Sequence, residues 1–73
     1  MAERPYEGRR IVARSFRSGL AWRTEVVVWS PDGRGGVTET MLDPPPSDWF
    51  AATEEEADQY GLAIGRAWID RHA

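Results

Sequence analysis

The stretch from Arg9 to Ser30, "RRIVARSFRSGLAWRTEVVVWS", constrains the fold more than any other part of the chain. Arginine alternates with aliphatic residues before Ser18 and Gly19, and β-branched and aromatic residues dominate after them, so the segment reads as a β-hairpin. With Ser18 and Gly19 as the loop and Arg17 facing Leu20, Ile11 stands opposite Val26, Ala13 opposite Thr24 and Ser15 opposite Trp22. One face then holds Ile11, Ala13, Ser15, Trp22, Thr24, Val26 and Val28 and carries no charge apart from Arg9 at its fraying end. The other holds Arg10, Val12, Arg14, Phe16, Arg23, Glu25, Val27 and Trp29. A slip of one residue would set Ile11 against Glu25, so the separation of faces itself argues for this pairing.

"SPDG" at Ser30 to Gly33 signals a turn into a second hairpin, because proline presets φ and glycine accepts a positive φ at the last position. The outgoing strand, Gly36 to Asp43, is weaker and belongs at an edge, and the glycines at 35 and 36 leave its facing open. "DPPPSD" cannot continue a ladder, since proline donates nothing; residues 43–49 are a stiff crossover whose far end Trp49 and Phe50 would anchor. Thr53 is a good N-cap, and Glu56 three residues later completes a capping box, so a helix should run from Glu54 to about Asp70.

On a helical wheel Ala57, Tyr60, Gly61, Ile64, Ala67 and Trp68 share one face, expected to cover the uncharged side of the sheet. Leu62 and Ile69 fall off that arc, beside each other, as a flank open to a partner. Gly61 and Gly65 each cost roughly 1 kcal/mol against alanine inside a helix, which implies close approach of helix to sheet. The expected architecture is α+β: a three-stranded antiparallel β-meander followed by one C-terminal helix packed on one sheet face (βββα). It forms a single domain over residues 1–73, with residues 1–6 disordered.

The chain has 73 residues and no cysteine, and its one histidine is His72, so neither disulfides nor thiolate metal sites can reinforce a small core. Four tryptophans are plenty for one such core, so some are expected at its rim or in an interface, which keeps a homodimer in play. The net charge of −3 is unevenly spread: residues 1–36 carry seven arginines against four acids, and residues 37–73 two against eight. Nothing near the N-terminus resembles a signal peptide and no apolar run is long enough to span a bilayer, so the expectation is a cytoplasmic protein with no membrane partner.

Catalytic chemistry finds no support. The serines lie in no G-x-S-x-G context, Glu54, Glu55, Glu56 and Asp58 point in different directions along a helix rather than around a cation, and "GRGG" lacks the Lys-Ser/Thr of a phosphate-binding loop. Acids in a helix's first turn are accounted for by its dipole. No cofactor and no metal is expected. The feature with most content is the second sheet face: Arg10, Val12, Arg14, Phe16, Arg23, Val27 and Trp29 on the side that a single helix leaves uncovered. Together with Leu62 and Ile69 they form the candidate interaction surface. An apolar face edged by charge can pair with its own copy, giving a homodimer, or with another protein; arginine interleaved with aromatics can instead hold single-stranded nucleic acid. A third use is a solvated face, with arginine stems over the apolar groups and Arg14 paired to Glu25. The acidic helix would repel phosphate, which puts the protein partner first.

The C-terminal pattern "F-x-x-T-E-E-E-A-D…G…A-x-x-W-I-D", carried by Glu55, Glu56, Ala57, Ala67, Trp68, Ile69 and Asp70, resembles small uncharacterised proteobacterial proteins of βββα type. A remoter likeness is to HicB-type antitoxins, which also place three strands before a "T-x-E-E-A" helix start; their acidic-Gly-Cys strand pattern is replaced here by "GRGGVTETMLDPPP". The first likeness implies the fold and a bacterial source, and the second a protein partner.

Overall fold

The computed structural model describes Met1–His72. Four strands, β1 (Ala2–Tyr6), β2 (Arg9–Ser18), β3 (Ala21–Pro31) and β4 (Val37–Met41), form an antiparallel meander in the order β1-β2-β3-β4, followed by one helix, α1 (Glu54–His72). The class is the expected α+β, with four strands instead of three. The additional strand is β1, in residues expected to be disordered. It lies at a sheet edge, where Pro5 is tolerated, and its Ala2 and Tyr6 pack against the core. The Glu7–Gly8 turn that joins it to β2 has φ of 53° and 76°, the two positive values of a type I′ hairpin. Glutamate seldom adopts that conformation, so "YEGR" does not announce a hairpin.

Between β2 and β3, Ser18 pairs with Ala21 and Ile11 with Val28, a register two residues from the expected one. Gly19 has φ of 67° and Leu20 is not in the positive region, as in a type II′ turn with glycine first. A Ser18–Gly19 loop of type I′ would have forced serine to positive φ. Because the shift is even, every side chain keeps its expected face.

At the helix start, the Glu56 N–H donates to Thr53 Oγ1 at 3.1 Å and the Ala52 N–H to the Glu56 carboxylate at 2.9 Å, a capping box whose second arm reaches one residue further back than the standard motif. The helix buries Ala57, Gly61, Leu62, Gly65 and Ile69, a stripe rotated from the expected arc. Leu62 and Ile69, 4% and 0% exposed, are core residues packed with Ile11, Ala13, Val26, Val28 and Leu42, and so are not an open flank. Ile64 and Trp68 pack at the margin of that core, and Ala67 is exposed. The glycines explain the rotation. A Cβ on Gly61 would stand 2.7 Å from the Ala13 Cβ and 2.9 Å from Thr24 Oγ1, and one on Gly65 would overlap Ile11. The helix backbone therefore rests on the sheet along the glycines, and the aromatics flank that line instead of defining it. On the same side Ser15 Oγ donates to the Asp58 carboxylate at 2.5 Å, so an acid at the packed face is satisfied.

Residues 43–49 lie outside the ladder, as the prolines require. The chain then rejoins the edge of β3, where Trp22 and Ala51 exchange backbone hydrogen bonds of 2.9 and 2.8 Å. Trp49 stacks on Tyr60 with ring centres 4.1 Å apart, while Phe50, expected as a second anchor, is exposed.

Candidate interaction surface

Side-chain alternation and the observed register place Arg10, Val12, Arg14, Phe16, Arg23, Val27 and Trp29 on the sheet face away from α1, as expected. The outer strands add Glu3 and Pro5 from β1, and Val37, Glu39 and Met41 from β4. Across the sheet these residues form rows. Glu3, Val12, Val27 and Met41 make one; Pro5, Arg10, Trp29 and Glu39 make the next; Pro31 and Val37 stand beyond it.

Two findings change the character of this face. Val12 and Val27 are 2% and 0% exposed although no helix covers them. Their neighbours along and across the strands are long side chains whose stems can lie over them. The charged ends of those side chains are also engaged: Arg10 pairs with Glu3 at 3.8 Å and Arg14 with Glu25 at 4.0 Å. Arg23 turns off the face altogether, and its guanidinium donates to the carbonyl oxygens of Pro45, at 3.1 Å, and Trp49. Trp29 Nε1 donates to the Glu39 carboxylate at 3.1 Å. On the β2 half the three arginines are thus engaged within the molecule, while Phe16, near the β2–β3 turn, stays 46% exposed.

The β4 half is different. Val37 and Met41 are 65% and 62% exposed, and half-buried Trp29 lies beside them. Beyond Trp29 a depression of about 570 Å³ opens at the end of the sheet, with Pro5, Arg10, Pro31 and Val37 in its wall. Sequence reasoning missed Val37 and Met41 because the glycines before β4 hid its facing. The alternation of Val37, Glu39 and Met41 was the available signal.

On the helix side the Tyr6 hydroxyl donates to the Asp70 carboxylate at 2.7 Å. That hydrogen bond, with desolvation and the charge of Asp70 adding to it, holds the phenol above its ordinary 10.0, against the opposing charge of Arg66. Among the described residues, no cluster of three acids or histidines is placed to share a metal ion, and no helix is long and apolar enough to cross a membrane.

Compared with known proteins, the chain matches no protein-family model, no curated protein and no solved structure. Geometry alone therefore bears on function.

Proposed function

We propose that the chain is a small, non-enzymatic protein-interaction module that self-associates, and that its working surface is the β3–β4 side of the bare sheet face. The observation that carries this reading is the exposure of Val37 and Met41 next to Trp29, an apolar group on a face where Val12 and Val27 are already covered and the other exposed large apolar side chain, Phe16, stands apart at the β2–β3 turn end. In this reading the protein works in the bacterial cytoplasm. Light scattering at micromolar concentration tests it: the unmodified chain is expected as a dimer, and Met41→Glu and Trp29→Glu as monomers with unchanged circular dichroism. A chain monomeric at every concentration refutes it.

Single-stranded nucleic acid, the other use of an arginine and aromatic face, has less to recommend it. Arg10 and Arg14 face carboxylates, Arg23 is held by backbone carbonyls, and α1 opens with three glutamates. A fluorescent oligonucleotide titrated at low salt is expected to show no binding.

A further inference from the structure

The sheet has two outer edges, β1 and β4, and they differ in their readiness to pair. Tyr6 and Arg9 close a two-residue turn, so the backbone groups of Pro5 and Glu3 point outward from β1. Proline has no N–H to offer there, and the charged neighbours Glu3 and Arg4 are the usual protection of an edge. On β4 the Leu42 N–H donates inward to the Val26 carbonyl at 2.9 Å. By ladder alternation Thr40 and Thr38 also bond inward, and the N–H and C=O groups of Val37, Glu39 and Met41 point out. None of these three is proline, and no other described segment pairs with them. The helix contacts β1, β2 and β3 but not β4, so α1 leaves this strand uncovered; Thr40 is half-buried and the strand's other residues are exposed.

We infer that this edge is the seam of self-association: β4 of one copy pairs antiparallel with β4 of a second copy about a two-fold axis at Thr40. The result is one continuous eight-stranded sheet with both helices on the same side. The inference rests on the reading that the chain self-associates, and it specifies how.

Charge selects the register. A two-fold antiparallel pairing sets one residue against its own copy. An axis at Glu39 would place two carboxylates directly opposite, which is repulsive. An axis at Thr38 would set Met41 against Gly35 in the loop and leave it uncovered. With the axis at Thr40, threonine faces threonine and Glu39 faces Met41 of the second copy, while the outward N–H and C=O groups of residues 39 and 41 all find partners. Glu39 enters the seam with its carboxylate already accepting the Trp29 N–H. Asp43 comes opposite Val37 of the second copy, toward the end of the strand where Arg34 stands in the β3–β4 loop. Neither Arg34 nor Asp43 makes an ion pair among the described residues, and the two-fold axis gives two such complementary approaches.

Proline and cysteine substitutions test the seam. Met41→Pro deletes an outward N–H and no inward bond, so the monomer should keep its circular dichroism while dimerisation weakens at least about tenfold, the loss of roughly 1.4 kcal/mol. In the unmodified chain the Glu39 and Met41 amides should exchange more slowly as concentration rises, a readout independent of whether the variant folds. The chain has no cysteine, so Thr40→Cys should cross-link under mild oxidation, since residues facing across a non-hydrogen-bonded pair lie about 4.5 Å apart at Cα, within disulfide reach. Glu39→Cys should cross-link more slowly. The reverse order overturns the register. A Met41→Pro variant that dimerises like the unmodified chain, or a dimer whose Glu39 and Met41 amides show no concentration dependence, overturns the edge seam and leaves self-association through another surface standing. A chain that never dimerises overturns both.

Discussion

Gly61→Ala separates two forces that act in opposite directions at one position. Helix propensity alone predicts that alanine inside a helix stabilises by roughly 1 kcal/mol over glycine. The structure predicts the contrary, because the new methyl would lie 2.7 Å from the Ala13 Cβ, 2.9 Å from Thr24 Oγ1 and 3.3 Å from Val26 Cγ2. Carbon atoms rest at about 3.5–4.0 Å, so the helix must lift by the better part of an ångström or the strands must yield. Both strands lie in the interior of the sheet, and Ala13, Thr24 and Val26 are buried in it. Overpacking of this kind costs about 1–3 kcal/mol, and lifting also loosens Ala57 and Ile69 on the same stripe. Set against the propensity gain of roughly 1 kcal/mol, the expected net effect is a loss of up to about 2 kcal/mol. A domain of this size has only some 4–11 kcal/mol of stability, so the loss should be plain in urea unfolding followed by tryptophan fluorescence. Ala63→Gly, on the exposed side of the helix, should cost roughly 1 kcal/mol and calibrates the propensity term. A Gly61→Ala variant more stable than the parent would refute close contact between helix and sheet.

Three further outcomes follow from the packing and the polar contacts. Leu62→Ala should cost about 2–5 kcal/mol as a core truncation, where a surface leucine would cost under about 0.5 kcal/mol; urea midpoints decide between them. Arg23→Ala should release the proline-rich segment, seen as faster proteolysis between β4 and α1 with a loss of about 1–3 kcal/mol, and Arg23→Lys should restore little because a single ammonium cannot reproduce the planar fork. Tyr6, with its pKa raised in the folded state, contributes stability that is present below the unfolded value near 10 and is lost as pH rises through the folded value. Phenolate absorbance should therefore show Tyr6 titrating earlier in Asp70→Asn, and identical titration curves would remove the Tyr6–Asp70 hydrogen bond from the account.

The parts of the fold legible in the sequence are those that depend on parity. Alternation from Ile11 to Trp29 assigns each side chain to a face, and an even shift in register leaves that assignment intact, so Arg10, Val12, Arg14, Phe16, Val27 and Trp29 come together as expected despite a misplaced turn. Turn chemistry decides where register and strand count depart from the sequence pattern. Gly19 serves as the first residue of a II′ turn, and Glu7 takes a left-handed conformation that its identity does not advertise, which concealed β1. The helix wheel failed for another reason. Aromatic bulk marks the direction of hydrophobicity, whereas the line of contact follows the smallest residues, Gly61 and Gly65, and this brought Leu62 and Ile69 into the core. The laced character of the bare face depends on which acids reach Arg10, Arg14 and Arg23, and Glu3 became a partner only through the unforeseen strand.

Self-association through β4 is tested most directly by a dilution series of backbone amide spectra on the unmodified chain. Resonances of Trp29, Val37, Glu39 and Met41 should move with concentration while those on the outer side of α1, such as Ala63 and Ala67, stay fixed. Resonances that stay fixed throughout the series, or that move on the helix and not on β4, would contradict self-association through β4.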